Sequence, residues 1–423
     1  MTAKIQSEKF YQKFQKKFSR RINLDRSRIF LALKKFNINP NNIKGQILQV
    51  IGSDGKNTVV QGLKSILIKN KKEITTFTSP AILHPLDRIF LKKKFISLKK
   101  FKDISRAVIM SKIKLTLFEA ITLIYIKSIK SIKNINYHII EAGCGFDKDS
   151  TNLFRAPRAQ IITNLNLQHK DLLSAQNMQD ICNIKVGALS HKTNIYIGKQ
   201  KPKVLRIVKK ILKKNPSKKI YYGRDFKIIK KNKFYFYKDK NGTLKLKANQ
   251  IHSDGLWQNI AICIKIARDL NIKNTIILKA LPEIKLVGRL EFLKKGNLKN
   301  LLNVKDDFLV DGCHSETAIK NHVSFIKKIK KPKYAIWSLQ KNREPEKFVK
   351  HLKIFKKIVA IKIPGEPSSC DPQKLKKIAN LNGINCISAP NIFSAVKKFS
   401  TSETKCVSLI GSLYTAGKAL NLN

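Results

Sequence analysis

The chain has 423 residues, of which 86 are lysine or arginine and 27 are aspartate or glutamate, so its formal net charge is +59. This length exceeds the usual size of one hydrophobic core, and a hydrophobic content of 43% is enough for two packed domains. No apolar run approaches the ~20 residues that span a bilayer, and no apolar signal core stands near the N-terminus, so we expect no membrane partner.

The excess of positive charge admits two explanations. Lysines are spread along the whole chain, as a bias in composition would produce, so we expect nucleic acid to bind only non-specifically. An anionic substrate or a polyanionic partner is the other explanation. The seven cysteines are widely spaced and contain no C-x-x-C pair, which argues against disulfides or a zinc site and indicates a reducing cytoplasm.

The first elements are predicted from apolar spacing. Phe10, Phe14 and Phe18 recur at four-residue intervals among lysines. We interpret them as one helix face that lies on the protein body, and a basic membrane-surface helix is the alternative. Residues 26–36 predict an amphipathic helix, and an apolar run that ends at Ile51 predicts the first strand.

Residues 52–58 read Gly-Ser-Asp-Gly-Lys-Asn-Thr and stand between that strand and a segment with helical spacing. The two glycines allow backbone N–H groups to face a phosphate. The helix N-terminus and Lys56 add positive charge, and the hydroxyl of Thr58 can bind magnesium. The loop therefore predicts a triphosphate such as ATP as ligand. A turn with a solvated lysine is the alternative for the loop taken alone.

Polar side chains follow three further predicted strands. They are Ser79 after strand 73–77, Glu141 after strand 137–140 and His169 after strand 159–165. Strands that alternate with helices predict a parallel sheet, in which ligands lie outside the carboxyl ends of the strands. Oxygen ligands suit magnesium, so we expect a magnesium site at this edge. Taken singly, the glutamate could cap a helix, the histidine could be structural and the serine could belong to a turn.

The middle of the chain predicts a change of architecture. Alternating aromatic and lysine residues over 190–250, with a hairpin signal at Asn241-Gly242, predict a small antiparallel sheet. Beyond a predicted junction, strands alternate with helices again. The predicted fold class is therefore α/β. Residues 1–284 would form a mostly parallel, P-loop-type sheet with flanking helices and the small antiparallel sheet, and residues 285–423 a smaller Rossmann-like α/β domain.

Short motifs follow one another along nearly the whole chain. They are Gly-Ser-Asp-Gly-Lys-Asn-Thr at 52–58, Ser-Pro-Ala-Ile at 79–82 with Asp-Arg-Ile at 87–89, Phe-Glu at 118–119, Glu-Ala-Gly-Cys-Gly-Phe-Asp-Lys-Asp-Ser-Thr-Asn at 141–152, the segment 163–174 around His169, Ile-Lys-Val-Gly-Ala at 184–188, Val-Gly-Arg at 287–289, Asp-Gly-Cys-His-Ser-Glu at 311–316 and Gly-Ser-Leu-Tyr-Thr-Ala-Gly at 411–417. In type and spacing this series resembles the folylpolyglutamate synthase/dihydrofolate synthase family within the Mur ligases.

The resemblance implies an ATP-dependent ligase that adds L-glutamate to dihydropteroate, to folylpolyglutamate or to both through an acyl-phosphate intermediate. ATP and Mg²⁺ would be its cofactors. Pteroate or folate and L-glutamate would be its small-molecule partners. It also implies an N-terminal ATP-binding domain over 1–284 and a C-terminal ligase domain over 285–423. We expect a cytoplasmic monomer.

The site residues that the resemblance implies fall into four groups. The catalytic group consists of Lys56, Lys185, which corresponds to a lysine carbamylated in the family, and His314. The nucleotide group consists of Gly52, Gly55, Lys56, Asn57, Thr58, Asn259, Arg289 and Asp311. The metal group consists of Thr58, Ser79, Glu141 and His169. The substrate group consists of Asn23, Leu24, Asp25, Phe118 and Asp149.

Several positions depart from the family motifs. They are Asn57 for a glycine, Ala81 for a histidine, Phe146-Asp147 for glycine–arginine, Gln168 for an aspartate, Ile184 for a glutamate, Ser315 for an asparagine and Lys341-Asn342-Arg343 for Asp-Lys-Asp. Loss of residues that support ligands commonly costs ~10–100-fold in affinity or activity. The alternative function is therefore a weakly active or inactive paralogue that binds nucleic acid or another polyanion. A ligase for a cell-wall precursor is a third possibility, against which Phe118-Glu119 and Leu413-Tyr414 argue.

Overall fold

The computed structural model describes residues 3–19, 23–168, 170–232 and 234–423, with the side chains of residues 3–5, 170 and 171 left undescribed. The chain forms two compact units. The first comprises Met1–Asn249 with Leu256–Ile284, and the second comprises Gln250–Gly255 with Lys285–Asn423. No helix of the described ranges is long and apolar enough to cross a membrane.

The first unit is built on a mostly parallel sheet, to which the described residues contribute eight strands in the order β4-β3-β2-β5-β1-β6-β7-β8. The strands are β1 (Gln46–Ile51), β2 (Ile74–Phe77), β3 (Ile89–Leu91), β4 (Lys94–Phe95), β5 (Tyr137–Glu141), β6 (Ala159–Ile162), β7 (Asn194–Ile197) and β8 (Lys218–Tyr221). Among the described strands of this sheet, only the pairs β2–β3 and β3–β4 are antiparallel. Because β1 lies between β5 and β6, the carboxyl ends of these strands share one edge.

Helices accompany this sheet in chain order. They are α1 (Ala3–Gln15), α2 (Ser27–Lys35), α3 (Lys56–Lys69), α4 (Leu98–Met110), α5 (Leu117–Lys130), α6 (Lys170–Leu173), α7 (Met178–Val186), α8 (Pro202–Ile211), α9 (Asp254–Asp269) and α10 (Asn274–Ala280). Phe14 of α1 is buried against Phe101 of α4, with ring centroids 5.3 Å apart. The aromatic face of α1 therefore lies on the protein body, as predicted.

The small antiparallel sheet is present but shorter than the sequence predicts. It consists of β9 (Phe226–Lys231), β10 (Phe234–Asp239) and β11 (Gly242–Leu246). The earlier part of the range 190–250 instead forms β7, α8 and β8 of the parallel sheet. The apolar segments of β7 and β8 are short and flanked by lysines, so the sequence does not separate them from a hairpin pattern.

The second unit contains a mixed sheet with a described strand order of β12-β13-β17-β14-β15-β16. Its elements are β12 (Glu291–Leu293), β13 (Asp307–Asp311), α11 (Glu316–Ile326), β14 (Lys333–Trp337), α12 (Pro345–Val349), β15 (Lys357–Ala360), α13 (Pro372–Leu381), β16 (Cys386–Ser388), α14 (Ile392–Lys397), β17 (Cys406–Ile410) and α15 (Leu413–Leu422). Apart from β12, its strands pair in parallel. The predicted α/β class is confirmed.

Candidate functional site

The glycine loop follows β1 and requires glycine at two positions. Gly52 has φ +145°, and a Cβ there would lie 2.0 Å from Oγ1 of Thr163. Gly55 has φ +88°, and a Cβ there would lie 2.4 Å from Nδ2 of Asn259. The loop can therefore approach both side chains only because these residues lack a side chain of their own. Asn259, which the sequence assigns to the nucleotide, lies against the loop.

The loop backbone is fixed to the neighbouring strand connection. The N–H groups of Ser53 and Asp54 donate to the carbonyl oxygen of Asn164 at 2.9 and 3.2 Å. Helix α3 begins directly afterwards at Lys56, so the N–H groups of residues 56–58, which include Asn57 and the buried Thr58, form its first turn. This end carries the positive pole of the helix dipole and favours an anion.

Two lysines meet at one carbonyl oxygen of the loop. Nζ of Lys56 donates to the Gly52 carbonyl at 3.0 Å, and Nζ of Lys185 donates to the same oxygen at 3.5 Å and to the carbonyl of Cys144. Lys185 is only 1% exposed. Burial, followed by the nearby charge of Lys56, lowers the pKa of Lys185 from 10.5 to about 8. The structure thus places concentrated positive charge beside the glycine loop.

A carboxylate and a serine meet at the same sheet edge. Glu141 is the last residue of β5 and is 2% exposed, and its Oε2 accepts from the backbone N–H of Ser79 at 3.3 Å. Carboxylate and hydroxyl oxygens from Glu141, Ser79 and Thr58 are hard donors of the kind that magnesium prefers, so this donor set fits the ion. His169, the fourth predicted ligand, lies outside the described residues.

Two predicted substrate residues border one glycine. A Cβ on Gly143 would lie 2.8 Å from Cε1 of Phe118 and 2.9 Å from Oδ2 of Asp149. The Gly143 N–H donates to that oxygen at 3.0 Å, and Thr151 donates to Oδ1 through its N–H and its hydroxyl. Burial raises the pKa of Asp149, partly offset by these hydrogen bonds. The structure brings Phe118 and Asp149 together.

The other substrate residues, 23–25, are held by an ion pair that the sequence analysis missed. Arg28 donates to Glu119 through Nε at 3.1 Å and Nη2 at 2.6 Å, and Nη2 also donates to the carbonyl of Asn23. Asp25 accepts from Ser27 and is about half-buried, and Leu24 packs near the small core around Leu173. Glu119 also forms the capping box of α5, so one acid contacts the N-terminal ends of both α2 and α5.

In the second unit, three predicted residues gather at the end of β13. Asp311 is its last residue, and the next carbonyl, that of Gly312, accepts from Nη1 of Arg289 at 3.4 Å and from Nδ1 of His314 at 2.8 Å. The Gly312 N–H donates to the Gly288 carbonyl at 2.8 Å. The Val-Gly-Arg and Asp-Gly-Cys-His motifs therefore form one local structure.

No protein-family model matches the chain. A probable dihydrofolate synthetase of Schizosaccharomyces pombe is 22% identical over 391 residues, which cover 88% of this chain and 91% of the relative. Alignments with a dihydrofolate synthetase of Saccharomyces cerevisiae and a folylpolyglutamate synthase of Lacticaseibacillus casei are shorter, and the chain spans about half the length of these two relatives.

Solved structures resemble the whole chain. FolC of E. coli, in complex with DHPP and ADP, has a TM-score of 0.84 and 17% identity, with 98% of this chain and 96% of that chain covered. A bifunctional folylpolyglutamate synthase/dihydrofolate synthase of Yersinia pestis, complexed with AMPPNP and an Mn ion, also has a TM-score of 0.84 and 17% identity, with 98% and 97% covered. At this identity the structures establish the fold. In sequence and in fold, the chain is similar to dihydrofolate synthases and folylpolyglutamate synthases.

The departures from this family occupy defined places. Phe146 is fully buried in the core beside Ile162 and Cys182, so this position packs the fold. Gln168 stands where the family has an aspartate. Nε2 of Gln168 donates to Oδ2 of Asp54 at 3.0 Å. The amide at position 168 therefore donates a hydrogen bond to the glycine loop.

We predict that Gly55→Ala weakens binding of a magnesium–ATP analogue at least ~10-fold, because the methyl group must displace Asn259 from the loop. Gly223→Ala is the matched control, since Gly223 has φ +94° but nothing within 4 Å of its Cβ position. Both variants should lose about 1–3 kcal/mol of unfolding free energy from the left-handed backbone. Isothermal titration calorimetry and thermal unfolding test this. Equal nucleotide affinities in the two variants would contradict it.

We also predict that, with Lys185 kept as the free amine in carbon-dioxide-free buffer, the unfolding free energy of the wild type rises with pH relative to that of Lys185→Met. The folded-state pKa of Lys185 is about 8 and the unfolded value is 10.5, so the folded state binds fewer protons between these values. The stability penalty is present below pH 8 and disappears as the pH rises to 10.5, which amounts to about 3 kcal/mol. Urea unfolding across this range measures it, and Lys213→Met, at an exposed position, controls for the loss of one charge. A flat difference would contradict the lowered pKa.

Proposed function

We propose that the protein is an ATP-dependent ligase that joins L-glutamate to dihydropteroate, to folylpolyglutamate or to both. The observation that carries this proposal is the meeting of Lys56 and Lys185 at the Gly52 carbonyl, on the sheet edge where Glu141 and Ser79 also lie. The names of the curated relatives support the reaction, and ADP, AMPPNP, an Mn ion and DHPP in the neighbouring structures support the ligands.

The first step is phosphoryl transfer. A carboxylate is a poor electrophile, so an oxygen of the substrate carboxylate attacks the γ-phosphorus of ATP, the bond to the β-phosphate oxygen breaks and ADP leaves. Lys56 and the N–H groups of the first turn of α3 bind the phosphates through charge and hydrogen bonds. Bound magnesium would neutralise part of the phosphate charge during this transfer. We assign Thr58, Ser79, Glu141 and His169 as its ligands.

The second step forms the amide. The glutamate nitrogen attacks the acyl carbon, the bond from carbon to the phosphate oxygen breaks, and the nitrogen loses a proton as inorganic phosphate leaves. We assign Lys185 as the carbamylated lysine, since formation of a carbamate requires a neutral amine and its pKa of about 8 makes one accessible. His314 is assigned to catalysis, and Asn259, Arg289 and Asp311 to the nucleotide.

The substrate ring is assigned to the surface bordered by Phe118 and Asp149, close to Gly143. Asn23, Leu24 and Asp25 complete this assignment, and the Arg28–Glu119 ion pair holds their segment. Separate assays with dihydropteroate and with tetrahydrofolate distinguish the two ligase reactions.

We further propose a cytoplasmic monomer. All seven cysteines are free and six are buried, which suits a reducing compartment. The net charge of +59 would attract nucleic acid without sequence preference, and such binding should weaken steeply with salt.

We predict that Lys56→Ala lowers glutamate-dependent ADP release at least ~100-fold, because the charge at the phosphates is lost. Lys69→Ala is the matched control, as Lys69 lies at the far end of the same helix and pairs with Glu283. A coupled ADP assay with labelled glutamate, and with dihydropteroate and tetrahydrofolate offered separately, measures the effect. Wild-type protein that releases no ADP with either substrate would refute the proposed function.

A further inference from the structure

A buried hydrogen-bond chain connects the end of β13 to the middle of the second sheet. Nδ1 of His322 lies 2.9 Å from Oδ2 of Asp311, and Nε2 lies 3.1 Å from Oγ of Ser408. A carboxylate can only accept, so in the neutral ring Nδ1–H donates to Asp311 and Nε2 accepts from the serine hydroxyl. Ser408 thereby fixes the tautomer that serves Asp311.

Two of these hydrogen-bonded side chains, His322 and Ser408, stand at buried positions where apolar side chains are usual. His322 shares the buried face of α11 with Ile319 and Ile326, and it is fully buried. Ser408 is fully buried in β17, where it pairs in register with Leu309 of β13. Polar groups at such positions cost free energy unless their hydrogen bonds are satisfied, and here each is satisfied by another member of the chain.

Two other uses of these side chains fit the structure less well. The order Asp–His–Ser is that of a hydrolase triad, but a fully buried serine in a central strand cannot meet a substrate. Asp311, His322 and Cys313 also form a group of metal-type ligands. Both ring nitrogens of His322 are engaged, however, and burial raises the pKa of the Cys313 thiol well above its usual value, which favours a neutral thiol.

We propose that His322 is a positioning residue for Asp311 and that Ser408 supports it. The imidazole holds one carboxylate oxygen of Asp311, so the other is kept in a fixed direction at the strand end beside Arg289 and His314. This inference rests on the proposed ATP-dependent function, in which Asp311 contacts the nucleotide. Its consequence is an effect on nucleotide affinity from two residues that touch no ligand.

We predict that His322→Leu, which removes the hydrogen bond while keeping an apolar volume, raises both the KM for ATP and the Kd of a magnesium–AMPPNP complex about 10-fold, with kcat changed less than about 3-fold. His322→Gln should restore affinity to within about 3-fold, because its amide can donate to Asp311 and accept from Ser408. Ser408→Ala should raise the Kd about 3-fold, since the tautomer is no longer fixed.

The control variants make the result decisive. Asp311→Asn should weaken binding on its own, and His322→Leu should add little in that background. His351→Leu removes a partly exposed histidine that faces Glu316 and should leave the Kd unchanged. Thermal unfolding without nucleotide establishes whether each variant folds. If His322→Leu does not fold, the AMPPNP affinity of Ser408→Ala tests the inference instead.

Three outcomes would overturn the inference. One is unchanged AMPPNP affinity in a folded His322→Leu variant, or in Ser408→Ala where His322→Leu does not fold. Another is full affinity in Asp311→Asn. The last is one equivalent of zinc in the purified wild type that His322→Leu lacks, as elemental analysis would detect. Wild-type protein that binds no magnesium nucleotide would instead refute the proposed function, so the two failures are distinguishable.

Discussion

The carbonyl oxygen of Gly52 is the point on which the candidate site depends. Two ammonium groups donate to it, and one of them, on Lys185, is buried. The acceptors of the two ammonium groups are neutral carbonyls, and burial and the charge of Lys56 together depress the pKa of Lys185. The glycine loop therefore carries positive charge that favours binding of an anion. The same geometry exists only because residue 52 has no Cβ to meet Thr163.

The structure also explains how the motifs can diverge while the site keeps its form. Backbone groups help to hold the loop, since the N–H groups of Ser53 and Asp54 donate to the Asn164 carbonyl. Most residue types could stand at positions 53 and 54 without loss of these hydrogen bonds. Where side chains do hold it, a residue that departs from the family motif still makes a hydrogen bond, as Gln168 does to Asp54. Substitution that preserves donor and acceptor pairing costs little, so low identity and a retained fold are compatible.

Much of the first unit follows from local patterns in the sequence. The apolar run of β1, the glycine loop, Ser79 after β2 and Glu141 at the end of β5 are each encoded within a few residues, and a parallel sheet places them at one edge. The strands β7 and β8 were missed, because their short segments carry no period that separates them from a hairpin. The antiparallel strands β3 and β4 have only three and two residues, which is too short to show a period.

Hydrogen bonds between side chains that are far apart along the chain could not be predicted from the sequence. Arg28 and Glu119 are 91 residues apart, and His322 and Ser408 are 86 apart. Each residue alone has an ordinary interpretation. A sequence signal did exist for the second pair, since a histidine on the apolar face of α11 and a serine inside an apolar strand both break the expected pattern. Only coordinates show that the two irregularities satisfy each other.

The net charge of +59 cannot by itself distinguish one anionic substrate from another. ATP, a folate and glutamate are all anions, so a positive field attracts each of them, and screening confines its reach to about 8 Å at physiological ionic strength. Selection among anions must therefore come from short-range contacts. Beside Gly143 the structure offers an aromatic ring, Phe118, and a buried acid, Asp149.

Asp149 already accepts most of the hydrogen bonds that a carboxylate can accept. A carboxylate can accept about four hydrogen bonds, and three already come from Gly143 and from the N–H and hydroxyl of Thr151. About one acceptor position is left for a ligand. In the proposed function, a flat ring that stacks on Phe118 and donates one N–H would fit that remainder, whereas a phosphate or a free carboxylate brings no donor for it.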